Sequence, residues 1–191
     1  AGFITFPMVE FEADDALASA ACIAREAPAV NRILICSPDK DLAQCVTDDG
    51  RVVQFDRRQQ LIYDSAGVKE KFGVAPASIP DFLALVGDPA DGIPGLPGWG
   101  AKSSSLLLAR YGKIEEIPLD SNKWDVPVRG AVKLAETLSQ NFEKAQLYKD
   151  LTILRDNVPV MSNVSELEWI APKDHFSELC DRLDASKLAE R

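Results

Sequence analysis

The sequence predicts an α/β unit followed by a mostly helical second half, and three observations predict it. Short apolar runs rich in branched residues alternate with helical patterns as far as Ile79. Beyond Ile79 helical spacing takes over. With 191 residues, 46% of them hydrophobic, the chain can bury a proper core, as one domain or one domain plus a small satellite.

The first helix is expected from Asp14 to Glu26, DDALASAACIARE, where Ala and Leu favour the helix and Pro28 closes the pattern. Ile33 to Cys36, bounded by Arg32 and the Ser37-Pro38 pair, has the length and branching of a buried strand. Helical pattern restarts after Pro38 through Leu42 to Val46, which makes a strand, loop, helix unit. Arg51 to Phe55, preceded by the Asp49-Gly50 turn signal, and Leu61 to Asp64 read as two further strands forming an edge hairpin. Ile79 to Val86, IPDFLALV, reads as a short helix with Pro80 in its first turn. The composition then changes to GDPADGIPGLPGWG, which holds five of the eleven glycines. Helices are expected again at Lys102 to Tyr111, capped by Gly112, and as one long element from Arg129 to Leu151. From Met161 onward the tail carries no motif.

Composition narrows the function. No apolar run reaches the roughly 18 to 20 residues that span a bilayer, and the N-terminus shows no signal-peptide pattern, so a soluble cytoplasmic protein without a membrane partner is expected. Cys22, Cys36, Cys45 and Cys180 form no CxxC pair and read as buried thiols. The sole histidine, His175, reads as a surface residue and leaves little material for a Ser-His-Asp arrangement or a His-ligated zinc site. A net charge of −9 speaks at first against nucleic acid, whose phosphates favour an excess of Lys and Arg. That objection weakens if acidic side chains converge on divalent cations, which offset their charge locally.

Three acidic clusters stand at junctions between elements. Glu12, Asp14 and Asp15 open the first helix, Asp39 and Asp41 follow the buried strand, and Asp88 and Asp91 follow IPDFLALV. Each has a structural explanation: acids suit a helix N-terminus, Ser37 and Pro38 suit a helix start, and Asp forms Asx turns. Each has a functional one too, because ligands of parallel α/β sheets bind at the carboxyl ends of strands. Carboxylates brought together repel one another unless hard cations sit between them, and two such ions about 4 Å apart support in-line attack on a phosphodiester. Hydrolysis of a phosphate ester is the chemistry that fits the set.

The segment GIPGLPGWGAKSSSLLLARYG is the most specific feature. Gly95, Gly98 and Gly100 permit a tight turn with backbone close to a partner, and the helix after it points free N–H groups outward. Lys102 sits in that first turn, where a cation opposes the helix dipole unless an anion binds. A plain hairpin between packed helices is the other reading. Trp99 either stacks on a sugar or base, or is buried.

EADDALA, SPDKDLAQ and FLALVGDPADGIPGLPGWGAKS, in that order and spacing, resemble the flap endonuclease and 5′-3′ exonuclease family, which includes the 5′ nuclease domain of bacterial DNA polymerase I. The resemblance spans residues 7 to 160 or so. It implies a Rossmann-like (PIN-like) α/β nuclease core, here its C-terminal part, over residues 1–78. A helix-hairpin-helix (helix-3-turn-helix) subdomain over 79–160 and an unassigned extension over 161–191 follow. It implies a divalent-metal-dependent 5′-3′ exonuclease or structure-specific flap endonuclease that hydrolyses DNA, and often RNA, near 5′ ends and flaps by a two-metal mechanism.

Carried over position by position, the resemblance makes Glu12, Asp14, Asp39, Asp41 and Asp88 metal ligands, with Asp39, Asp41 and Asp88 central to catalysis. Asp15 and Asp91 become inner or outer partners acting partly through water. The implied cofactors are two or more Mg²⁺ or Mn²⁺ ions, with K⁺ held by carbonyls at the hairpin. That hairpin, Gly92 to Ser103, would grip duplex DNA through Gly95, Gly98, Trp99, Gly100, Lys102 and Ser103. The family pattern opens with two further Asp residues and a basic helical arch, none of which lies in this chain. The expectation is therefore a fragment inactive alone, whose partner is the preceding segment of the same enzyme. Two other classes stand beside it: a non-catalytic duplex-DNA-binding module using only the hairpin, and a structural fragment that does neither.

Overall fold

The computed structural model describes residues 1–188. Helix α1 spans Ala13–Glu26 and leads to strand β1, Ile33–Ile35. A 3-10 helix, Asp41–Cys45, connects β1 to β2, Val52–Asp56, which turns back into β3, Leu61–Tyr63. The sheet order is β1-β2-β3, parallel between β1 and β2 and antiparallel between β2 and β3. The expected edge hairpin is thus present. The segment after Pro38 forms 3-10 turns instead of the expected helix, and Val46 lies beyond its end.

Helix α2, Ser65–Phe72, follows β3 and was not expected. Its signals are local: the Asp64 side chain accepts from Gly67 N at 2.8 Å, and Gly73 closes the helix at φ 74°. Helix α3, Ile79–Val86, buries every residue from Ile79 to Leu85, including Asp81, as a helix central to a core must. Against it pack α4, Ala101–Tyr111, and α6, Phe142–Thr152. The main core gathers Leu83, Leu85, Leu107, Leu108, Ile114 and Leu138, and a smaller one joins Ala21 of α1 to Ile35, Leu42 and Val52.

The long helix expected from Arg129 to Leu151 is two helices, α5, Ala131–Gln140, and α6, broken at Asn141. Asn141 leaves the helical region at φ −122° and ψ 23°, and its Nδ2 donates to Thr137 O at 2.9 Å. A polar side chain that competes for backbone carbonyls ends one helix and starts the next. After α6 the chain returns along α1: Ser19 Oγ donates to Arg155 O at 3.1 Å and accepts from Val158 N at 2.9 Å. This strap ties the helical half to the start of the α/β half. In the tail, α7 covers Phe176–Arg182.

The thiols differ from expectation. Cys180 is buried, Cys22 and Cys45 are half-buried, and Cys36 is exposed because it sits just past the end of β1. His175 is exposed, as expected. Among the described residues no helix is long and apolar enough to cross a membrane.

Candidate metal centre and hairpin

Parallel strands deliver their carboxyl ends to one edge of a sheet, and the acidic loop after β1 begins there. Asp39 N donates to Ser37 Oγ at 3.2 Å, and Asp41 N donates to Asp39 Oδ1 at 3.3 Å, so the loop curls on its own side chains. From the helical half, α3 ends at Gly87, where φ is 90° and an added Cβ would strike the Ile93 and Pro94 backbone. Asp88 and Ile93 then exchange backbone hydrogen bonds of 2.8 and 2.9 Å, closing a short loop that carries Asp91. The two loops meet: oxygens of Asp39, Asp41 and Asp91 lie within 4.8 Å of one another.

This convergence is electrostatically costly. Burial, with Asp91, Asp39, Asp88 and Asp14 nearby, pushes the Asp41 carboxyl up to about 7. Burial and the charges of Asp39, Glu12, Asp91 and Asp15 push Asp14 up to about 6. Asp91 is raised as well, first by burial and then by Asp88 and Asp39, although Lys40 opposes the shift. Asp41 Oδ1 is buried with no hydrogen-bond partner. Three converging carboxylates, one of them with an unpartnered buried oxygen, are a poor arrangement for stability and a good one for a hard divalent cation, which prefers oxygen ligands.

The seven predicted ligands divide accordingly. Asp39, Asp41 and Asp91 form the group, so Asp91 stands more centrally than the sequence suggested, and Asp14 sits close enough to feel Asp39 and Asp91. Asp88 is buried, and both its oxygens accept from Lys40 Nζ at 2.6 Å. Asp15 is engaged structurally, accepting from Glu12 N at 3.2 Å and Arg155 N at 2.8 Å. Glu12 is exposed at the N-cap of α1.

Sequence reasoning missed Lys40 and two glutamines. Gln54, fully buried on β2, donates from Nε2 to Ser37 O at 2.9 Å and to Asp39 O. Gln44 donates from Nε2 to Asp41 O and Thr152 O, both at 2.9 Å, and its Oε1 accepts from Leu154 N at 3.1 Å. The available signal was an amide inside the apolar run VVQF, since a buried polar group demands partners.

At the hairpin, Gly95 and Gly98 have φ of 69° and 81°, and a Cβ on Gly95 would lie 2.5 Å from Val86 C. Gly100 is the extended N-cap of α4 at φ −133°, a conformation any residue adopts, so its expected role in the turn is corrected. Ser103 Oγ accepts from Gly100 N at 3.2 Å and donates to Gly100 O at 3.0 Å. Of the two readings of Trp99, the structure has the buried one: it is 5% exposed, its Nε1 donates to Leu134 O at 3.2 Å, and its ring meets Trp124 edge-on. Such a ring is core and offers no face for stacking. Lys102 is exposed and lines a cavity of about 540 Å³ with Gly98, Gly100, Ser103 and Arg129.

An α/β unit with carboxylates at a strand end, followed by a helical unit that holds a glycine-rich turn between α3 and α4, is a two-part architecture. Residues 1–73 match the 5′-3′ exonuclease N-terminal resolvase-like domain, and residues 74–175 match the 5′-3′ exonuclease C-terminal SAM fold. The chain belongs to the 5′-3′ exonuclease family. It is 36% identical over 165 residues to DNA polymerase I of Pseudomonas aeruginosa, covering 82% of this chain and 17% of that protein. It is 35% identical over 153 residues to the 5′-3′ exonuclease of Aquifex aeolicus, covering 80% of this chain and 51% of that protein. The chain therefore spans about half the length of the Aquifex exonuclease and a smaller share of the polymerase. In fold it is similar to a structure of T5 5′-exonuclease with bound zinc, at TM-score 0.65 and 23% identity over 79% of this chain and 53% of that one. A T5 flap endonuclease pseudo-enzyme-product complex with DNA and metal ions gives TM-score 0.65 at 22% identity over the same shares.

Proposed function

We propose that this chain supplies the carboxylate site and the DNA-gripping hairpin of a divalent-metal-dependent 5′-3′ exonuclease or flap endonuclease. The observation that carries the reading is the meeting of Asp39, Asp41 and Asp91 carboxylates, from two separate loops, within 4.8 Å of one another. Asp39, Asp41 and Asp91 would hold the ion, Asp14 lies close enough to join them, and Asp88 joins only by releasing Lys40. A bound divalent cation supplies positive charge against the charge that grows on phosphate during hydrolysis. Mg²⁺ or Mn²⁺ suits an all-carboxylate set, which lacks the nitrogen and sulfur donors of softer metals.

The hairpin would hold the substrate's backbone, with Lys102 beside the N-terminus of α4 and Arg129 across the same cavity. Support for DNA as the partner comes from the family and from the DNA in the T5 complex. The reading includes participation of further sequence present in the longer relatives. The test is cleavage of a 5′-flap duplex by the complete gene product with Mg²⁺ or Mn²⁺. Cutting that disappears in Asp39→Ala with Asp41→Ala supports the reading, and no cutting by the unaltered protein under either metal overturns it.

A further inference from the structure

We infer that Gln54 is a positioning residue for the metal site, its buried amide fixing the loop that presents Asp39 and Asp41. The inference rests on the metal reading above and adds a residue to it. Gln54 is paired in register with Ile35, the last residue of β1, so its side chain stands where the acidic loop departs. Both donors of its amide go to that loop, one to Ser37 O and one to Asp39 O. Between those carbonyls lies Pro38, which has no N–H and cannot take part in a ladder, so the backbone there needs another partner. Gln44 fastens the next carbonyl, that of Asp41, to the strap at Thr152. The carbonyls of residues 37, 39 and 41 are therefore tied by amides, while the carboxylates of 39 and 41 meet at the pocket.

These two bonds satisfy backbone carbonyls, yet the same side chain also carries a cost. Gln54 Oε1 is buried without a partner, a cost that an apolar side chain between Val53 and Phe55 avoids. The gain lies in geometry. Carboxylates that repel one another spread apart on a free loop, and two clamps hold them converged before an ion arrives. Groups that orient ligands in this way typically account for about 10- to 100-fold in metal affinity.

The experiment is calorimetric titration of the complete gene product with Mn²⁺, alongside metal-free melting. Gln54→Met keeps length and volume and removes both donors, and it is expected to weaken Mn²⁺ binding about 10-fold. Val53→Ala, beside it on β2 and fully buried, destabilises the fold without touching the loop and is expected to bind Mn²⁺ as the unaltered chain does. Equal affinity in Gln54→Met and the unaltered chain overturns the inference, as does an equal loss in Val53→Ala. If Gln54→Met does not fold, Gln44→Met decides, with weakened binding expected and unchanged binding contradicting. An unaltered chain that binds no Mn²⁺ brings down the metal reading itself, which is a different result from binding that ignores Gln54.

Discussion

Asp81 in the helical half and Asp41 in the α/β half are both acids withdrawn from water, and the protein treats them in opposite ways. Asp81 Oδ1 accepts from Ile114 N and from Lys149 Nζ, each at 2.8 Å, and Lys149 also reaches Glu115. Asp41 has an oxygen with no partner and faces Asp39 and Asp91. A buried charge with partners is structure; a buried charge whose neighbours share its sign stores a demand for a cation. The helical half thus pairs its buried acid, and the acidic edge leaves its acid among like charges.

The contrast can be broken most forcefully at Lys149. Lys149→Met strands Asp81 inside the core, and urea unfolding should show a loss of about 3 kcal/mol or more. Asp41→Asn should go the other way. In the folded chain Asp41 and Asp14 hold protons up to about 7 and about 6, whereas an unfolded carboxyl releases its proton near 3.8. The folded state therefore binds more protons between these values, and the contribution of both groups to stability falls as pH rises through that window. Without metal, the melting temperature of Asp41→Asn relative to the unaltered chain should rise between pH 5 and pH 8. A parallel pair of curves would mean that Asp41 is not held in its acid form. A smaller effect sharpens the view of the hairpin: Trp99→Phe removes the bond to Leu134 O and should cost about 1 kcal/mol in unfolding while leaving duplex affinity intact. Lys102→Ala should instead weaken duplex binding and flatten its salt dependence by about one phosphate contact.

Much of this was legible in the residues. Apolar runs with period and breakers located α1, β1, β2, β3, α3 and α4, because those runs are bounded by Pro, Gly or Asp and all but β3 bury part of a face. The break at Asn141 was not legible, since one asparagine in a helical pattern reads as a surface residue until its amide is seen on Thr137 O. The acidic clusters were visible as residues, but spacing along the chain could not say which oxygens meet. Tertiary packing brought Asp91 to Asp39 and Asp41 and paired Asp88 with Lys40, and it turned Trp99 inward onto Leu134. Gln44 and Gln54 stayed hidden for the same reason: their partners are backbone carbonyls that carry no trace in sequence.

The most direct measurement is Mn²⁺ binding by calorimetry to the complete gene product, as the unaltered chain and as Asp41→Asn, at neutral pH and fixed salt. Saturable binding that releases protons and is largely lost in Asp41→Asn is the predicted result. No binding by the unaltered chain, or equal binding by both, contradicts the account.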